Sequence, residues 1–176
     1  MPYIIPPARA VLDFPAAGPE QCASGPVLVV AEDHPKLQCV VVPLCAALGI
    51  EVRSATDELG LRRLLSSWDT IAILTSVEGV SQDGYNVMMR VAEYERSLPV
   101  LLLTGREPAL LGAAEAVQEM WQLDSVTMLP ELPEIGELAE FLCNAVRLGE
   151  ERRHTATRVR RGGSRKTDRR LVEVAA

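Results

Sequence analysis

Two carboxylates, Glu32 and Asp33, follow directly on the apolar run Val27-Leu28-Val29-Val30-Ala31. A strand there holds both at its carboxyl end, where parallel sheets concentrate their ligand chemistry. Such a pair can simply solvate a loop, can hold it through hydrogen bonds to backbone groups or the Thr104 hydroxyl, or can suit a hard cation. The strand Thr70 to Leu74 runs instead into Thr75-Ser76, with no acid. Charge is therefore built in on one side only. A cation would keep two carboxylates and the carbonyl of Glu78, a thin set for Mg²⁺, so Glu32 and Asp33 are weak metal candidates and no cofactor is expected. Ser76 and Thr75 lack the Gly-x-Ser-x-Gly elbow of a hydrolase, and the two histidines, His34 and His154, stand at a helix start and in the basic C-terminal stretch. Gly105 after a strand is one element of a phosphate loop, yet neither Gly-x-Gly-x-x-Gly nor a closing Lys-Ser/Thr accompanies it. Cys22, Cys39, Cys45 and Cys143 form no C-x-x-C pair and read as small hydrophobes or incidental thiols. This chemistry points to recognition and not to an enzyme.

The elements that must position these residues read clearly from residue 27 onward. At 176 residues and 48% hydrophobic content, the chain suits one well-buried domain with tails. Residues 1–25 form an irregular, proline-rich leader. Val27 to Val30 and Val100 to Leu103 are uniformly apolar, as central parallel strands covered on both faces are. Ile50 to Ala55 alternates like an edge strand, Thr70 to Leu74 is a third inner strand, and Ser125 to Leu129 a fifth. Helices fit Lys36 to Leu48, stopped by Gly49; Thr56 or Asp57 to Ser67; Tyr85 to Arg96; Pro108 to Met120; and Glu134 to Val146. The second buries a stripe of Leu59, Leu61, Leu64 and Leu65, and the last a stripe of Ile135, Leu138, Ala139, Leu142 and Val146. Pro43 predicts a bend near Cys39 and Val40, or a late helix start. Strands alternating with helices make a three-layer, doubly wound α/β sandwich. Trp68 and Trp121 close helices and serve packing.

Charge divides the chain. Residues 27–146 hold 7 basic and 18 acidic side chains, whereas residues 147–176 hold 10 basic and 4 acidic. An acidic body repels phosphate backbones, so nucleic-acid contact would come through the tail. Residues 150–176 lack apolar periodicity and are expected to be a disordered tail or linker, able to contact an acidic protein surface or, second to that, nucleic acid. No stretch approaches a membrane span, and the first residues lack the pattern of a secretory signal, so a cytoplasmic location and no membrane partner are expected.

Val27-Leu28-Val29-Val30 with Glu32-Asp33-His34-Pro35, the Asp83-Gly84 pair, and Pro99-Val100-Leu101-Leu102-Leu103-Thr104-Gly105 together resemble the receiver domain of two-component response regulators. The resemblance spans residues 26–149. It implies a flavodoxin-like sheet of five parallel strands in the order 2-1-3-4-5, which periodicity alone leaves open. In such receivers an acidic pair binds Mg²⁺, an aspartate ending the third strand accepts phosphate, Thr or Ser ends the fourth strand, and a Lys-Pro step ends the fifth. Glu32 and Asp33 match the acidic pair, and Thr104 the hydroxyl. Counted back from Asp83-Gly84, the acceptor position falls on Ser76, a poor nucleophile that brings no negative ligand. Pro130 matches the proline of the final step and leaves Leu129 in place of the phosphate-pairing lysine. The aromatic that receivers rotate falls near Val126.

These departures imply a degenerate pseudo-receiver. The expected function is a non-catalytic, phosphorylation-independent signalling module that acts by protein–protein interaction, with transcriptional regulation as a setting. Leu110, Leu111, Ala114, Val117 and Met128 are expected to supply apolar area for a protein partner or a homodimer. Two other readings stand beside it: a phosphorelay receiver using an atypical acceptor such as Glu78 or Asp83, and a small flavodoxin-like enzyme or nucleotide binder.

Overall fold

The apolar runs become the middle of one parallel sheet. In the computed structural model, which describes residues 25–31, 35–67, 69–79 and 83–163, the strands are β1 (Val27–Val30), β2 (Glu51–Ser54), β3 (Thr70–Ser76), β4 (Val100–Leu103) and β5 (Val126–Leu129). They alternate with α1 (Pro35–Ala47), α2 (Glu58–Leu65), α3 (Gly84–Tyr94), α4 (Pro108–Trp121) and α5 (Ile135–Gly163). All neighbouring strands pair in parallel, in the order β2-β1-β3-β4-β5. This is a flavodoxin-like α/β fold, with the strand order that the receiver resemblance implied.

Successive residues of a strand point to opposite faces, so each apolar run feeds two cores. Val29, Ile73 and Leu102 pack beneath α2, α3 and α4, with Leu61, Leu65, Val87, Met88, Val91 and Ala114. Leu28, Leu74 and Leu101 pack beneath α1 and α5, with Leu37, Val41, Cys45, Leu138, Leu142 and Ala145. Each of these Val, Leu, Ile and Met side chains, removed from water, stabilises the fold by about 1.5–3 kcal/mol. β2 carries exposed Glu51 and Ser54 at its ends, as its edge position demands.

The helix boundaries have local causes. The Asp57 carboxylate accepts from the Gly60 N–H at 2.6 Å and caps α2. Gly49, at φ 69°, turns the chain out of α1. Pro43 sits inside α1, which runs from Pro35 to Ala47 without interruption. Pro43 and Cys39 both lie on the exposed face, so water can reach the Cys39 carbonyl that the proline leaves unbonded.

Four expectations change. Leu59 and Ile135, assigned to buried stripes, are 59% and 63% exposed; each lies in the first turn of its helix, before the helix settles on the sheet. The last helix does not stop at Val146 but continues to Gly163, so residue 150, where a disordered tail was expected to begin, lies inside α5. The leader up to residue 24, Trp68 and residues 164–176 fall outside the described residues.

Candidate functional site

The site expected at the carboxyl end of the sheet is assembled by three strand ends in register. Ser76 stands opposite Leu103 of β4, and Leu103 opposite Leu129 of β5. Ser76 closes β3 and is half-buried, directly after the buried Thr75. The Thr75 hydroxyl donates to the Ala31 carbonyl at 3.5 Å, which ties the end of β3 to that of β1. Glu32 and Asp33, the acidic pair expected at the end of β1, lie outside the described residues, as does His34.

Below Ser76 the packing is unusually close. A Cβ on Gly84 would lie 2.6 Å from the Ser76 carbonyl oxygen and 2.9 Å from Leu102 Cδ1, so only glycine fits at the start of α3. Asp83, immediately before it, accepts from the Tyr85 N–H at 2.9 Å and caps the helix. Asp83 is thus engaged as a helix cap. The Tyr85 hydroxyl donates to the Leu110 carbonyl at 3.0 Å and links α3 to α4. Burial, with the Asp83 and Glu107 charges adding to it, raises the Tyr85 pKa above its ordinary value.

Thr104 follows β4 and is almost wholly buried. Its N–H donates to the Leu129 carbonyl at 2.8 Å, and its hydroxyl reaches the same carbonyl at 3.3 Å and that of Gly105 at 3.2 Å. The hydroxyl proton is therefore shared between the backbone carbonyls of Gly105 and Leu129. Leu129 is half-buried and packs, with Leu132 and Phe141, against the α1–α5 core. Val126, the position matched to the rotating aromatic, is half-buried against the α2–α4 core. At the rim, Gly105 turns at φ 72°, and Arg106 forms an exposed ion pair with Glu131 at 3.3 Å.

The described part of the site holds hydroxyls and backbone groups, while Glu32 and Asp33, the expected cation ligands, lie outside it. Among the described residues no three His, Cys, Asp or Glu side chains converge as a metal site, and the donors that Ser76, Thr75 and Thr104 bring are neutral hydroxyls. Mg²⁺ prefers anionic oxygens. His154 is exposed on α5, far along the helix from its start beside the site. Glu78 is exposed two residues past the strand end.

The expected interaction surface divides. Ala114 is fully buried and supplies no area, because it faces the sheet from α4. Leu110, Val117 and Met128 are half-buried against the same core. Leu111 is exposed. The exposed apolar side chains nearby are Met120, at the end of α4, and Ile135, at the start of α5, neither of which apolar periodicity distinguishes from a core position.

Solved structures with similar backbones share one architecture. The receiver domain of a sensor histidine kinase from Pseudomonas aeruginosa PAO1, solved with magnesium coordinated in its active-site cleft, is 25% identical, with a TM-score of 0.53 over 70% of this chain and 98% of its own. A CheY-like receiver domain protein from Methanospirillum hungatei JF-1 is 15% identical, with a TM-score of 0.57 over 73% of this chain and 99% of its own. The signal receiver domain of an HD domain-containing protein from Pseudomonas fluorescens Pf-5 is 21% identical, with a TM-score of 0.57 over 74% and 93%. The chain has the receiver-domain fold. No family model matches it, and no curated protein matches its sequence. The receiver fold accounts for most of the described chain, and α5 runs on past Val146, where the sequence pattern put its end. Among the described residues no helix is long and apolar enough to cross a membrane.

Residues that sequence reasoning missed lie on that continuation of α5. Gly149 is buried and Arg152 half-buried at the amino end of β3. The signal was present: Leu138, Leu142, Ala145, Gly149 and Arg152 follow steps of four and three, the spacing of one helix face.

Proposed function

We propose that this receiver fold is a phosphorylation-independent signalling module that acts by binding protein, without catalysis and without Mg²⁺. The observation that carries the reading is Ser76 at the end of β3, where receivers place a phosphate-accepting aspartate. A serine hydroxyl without a neighbouring base is a poor nucleophile and adds no charge to a metal site. Two further features support it: Leu129 packs into the α1–α5 core and offers no cation to phosphate, and the Thr104 hydroxyl is engaged with backbone carbonyls. Loss of acceptor, counter-charge and free hydroxyl removes the usual trigger while the fold that presents a surface is kept.

The alternative acceptors are weaker. Asp83 is occupied as the cap of α3, and Glu78 stands beyond the strand end. The test is titration of the protein with beryllium trifluoride and Mg²⁺, a phosphoryl mimic that binds carboxylate acceptors, followed through backbone amide shifts. Unchanged shifts at Ser76, Gly84 and Thr104 are expected; saturable shifts there would overturn the reading.

A further inference from the structure

The sheet ends on a strand whose outer side is open. β2 is terminal in the strand order, with β1 as its single partner among the described residues. The Glu51 N–H donates to the Pro26 carbonyl and the Ala55 N–H to the Val30 carbonyl, each at 2.9 Å. Residues 51, 53 and 55 therefore turn their backbone groups toward β1. By the alternation of a strand, Val52 and Ser54 turn theirs to the open side. Such an edge is a template for another strand unless lysine, proline or a bulge spoils it. β2 has neither lysine nor proline, and its register on β1 runs without a shift. β5, at the other edge, runs directly into Pro130.

The side chains along this edge complement a copy of themselves. Glu51 and Arg53 stand two residues apart on one face of β2 and pair with each other at 2.8 Å while still partly exposed. On the other face Val52 packs into the α1–α5 core, and α1 lies against both β2 and α5. From Leu37 to Leu48 α1 carries no charged side chain. Its Val40 and Leu44 pack into the core shared with α5. Val42 and Ala46, each about 200° further around the helix, lie on the flank away from α5, half-buried and exposed respectively. That flank overhangs the open edge of β2.

We infer that β2 pairs antiparallel with β2 of a second copy across a two-fold axis at Val52, joining two five-stranded sheets into one continuous sheet. Because backbone groups alternate along the strand, the axis must pass through a residue, and the choices are few. An axis at Glu51 or at Arg53 sets like charges face to face, which destabilises a pair of strands. An axis at Ser54 carries Glu51 past the end of the partner strand, opposite Asp57. With the axis at Val52, the two valines exchange both N–H···O=C bonds. Glu51 of each chain then faces Arg53 of the other, with Cβ atoms about 4.5–5.5 Å apart. The helices agree with this register. The Ile50 N–H donates to the Cys45 carbonyl at 2.8 Å, and two strand residues, about 6.6 Å, match about four helix residues, so the axis crosses α1 near Val42. Strands about 4.8 Å apart bring helices seated over β1 and β2 to about 10 Å, the usual separation of packed helices. Val42 and Ala46 of the two copies meet there. Residues 27–146 hold 18 acidic and 7 basic side chains, so two bodies repel except where they meet on uncharged or mutually paired residues. α1 and β2 supply both. The contact is small and the association correspondingly weak. The inference deepens the reading above by naming the partner and rests on it only in that the chain acts by binding protein; phosphoryl uptake would overturn that reading without touching this dimer.

The test uses the full chain in sedimentation equilibrium from about 1 to about 500 µM, with amide hydrogen exchange read at both ends of the range. A dimer is expected to form as concentration rises, and the Val52 and Ser54 amides to become protected with it. Ser54→Pro replaces an exposed side chain and an N–H on the open side, so the monomer keeps its ladder; it should raise the dimer dissociation constant by about tenfold or more. Glu51→Arg and Arg53→Glu each place like charges opposite one another at both pairs and should have an effect of about the same size. An equimolar mixture of these two charge variants should associate like the parent, since each chain then offers the charge the other lacks. A monomer throughout, a dimer indifferent to the three variants, or a mixture without rescue overturns the pairing. So does a monomer whose Val52 and Ser54 amides are already protected, because another strand then covers the edge.

Discussion

Replacing Gly84 by alanine tests the geometry of the site through a single methyl group. That carbon would stand 2.6 Å from the Ser76 oxygen, 2.9 Å from the Ser76 carbonyl carbon and 2.9 Å from Leu102 Cδ1. Leu102 can rotate, but the Ser76 carbonyl belongs to the backbone of a central strand and also accepts from the Gly79 N–H. The start of α3 must therefore move away from β3 by several tenths of an ångström. Overpacking of this kind costs about 1–3 kcal/mol, while alanine returns at most about 1 kcal/mol of helix propensity. The net expectation is a loss of about 1–2 kcal/mol. Gly112 is the control: it is exposed within α4, and a Cβ there meets nothing within 4 Å. Gly112→Ala should gain about 0.5–1 kcal/mol. Urea unfolding at constant m-value measures both. A Gly84→Ala protein as stable as the parent would refute the close approach of α3 to the end of β3.

Other perturbations follow from the same contacts. Thr104→Val removes a hydroxyl bonded to backbone carbonyls and should cost about 1 kcal/mol by urea unfolding, since the Leu129 carbonyl keeps the Thr104 N–H; no change would mean that the hydroxyl is free for a ligand. Arg152→Met removes the guanidinium that donates to the Thr70 and Ile71 carbonyls; it should leave the centre of the sheet intact while hydrogen exchange accelerates at residues 149–160, and equal protection in both proteins would show that these bonds do not hold the helix. Cys45 is buried and its thiol is pushed up to about 11, so a thiol reagent at neutral pH should modify exposed Cys39 and Cys143 and spare Cys45 until unfolding. Because that pKa is raised on folding, the contribution of Cys45 to stability is complete below pH 9 and is lost as pH rises through about 11; a Cys45→Ala variant should lack this alkaline loss in denaturation midpoints.

The fold was legible because its strands are short, wholly apolar and separated by turn residues. Val27–Val30 and Val100–Leu103 had the composition of strands covered on both faces, and they lie inside the sheet. Strand order came from the resemblance, since neither composition nor periodicity distinguishes one parallel order from another. Misassigned stripe residues share a cause: Leu59 and Ile135 sit in first turns, where an apolar residue in step with the stripe still overhangs the edge of the layer. Ala114 erred the other way, because a small residue in a mixed helix gives no sign of which face it occupies. The continuation of α5 was hidden by its chemistry, as Gly149 and Arg152 are poor markers of a buried face until β3 brings Ile71 against the one and the Thr70 and Ile71 carbonyls to the other. Of the pocket, Ser76, Thr104 and Leu129 close or follow three adjacent strands, whereas Glu32 and Asp33 lie outside the described residues.

Ser76→Asp alone should not restore a phosphorylation switch, because Leu129 still packs into the α1–α5 core and Val126 has no ring to rotate. The central claim is tested most directly on the unaltered protein. Its intact mass is measured after incubation with acetyl phosphate and Mg²⁺, and again after hydroxylamine, which strips acyl phosphates from carboxylates. The account predicts an unchanged mass in both spectra. A hydroxylamine-labile gain of one phosphoryl group would contradict it, and would show that a carboxylate near the end of β3 still accepts phosphate.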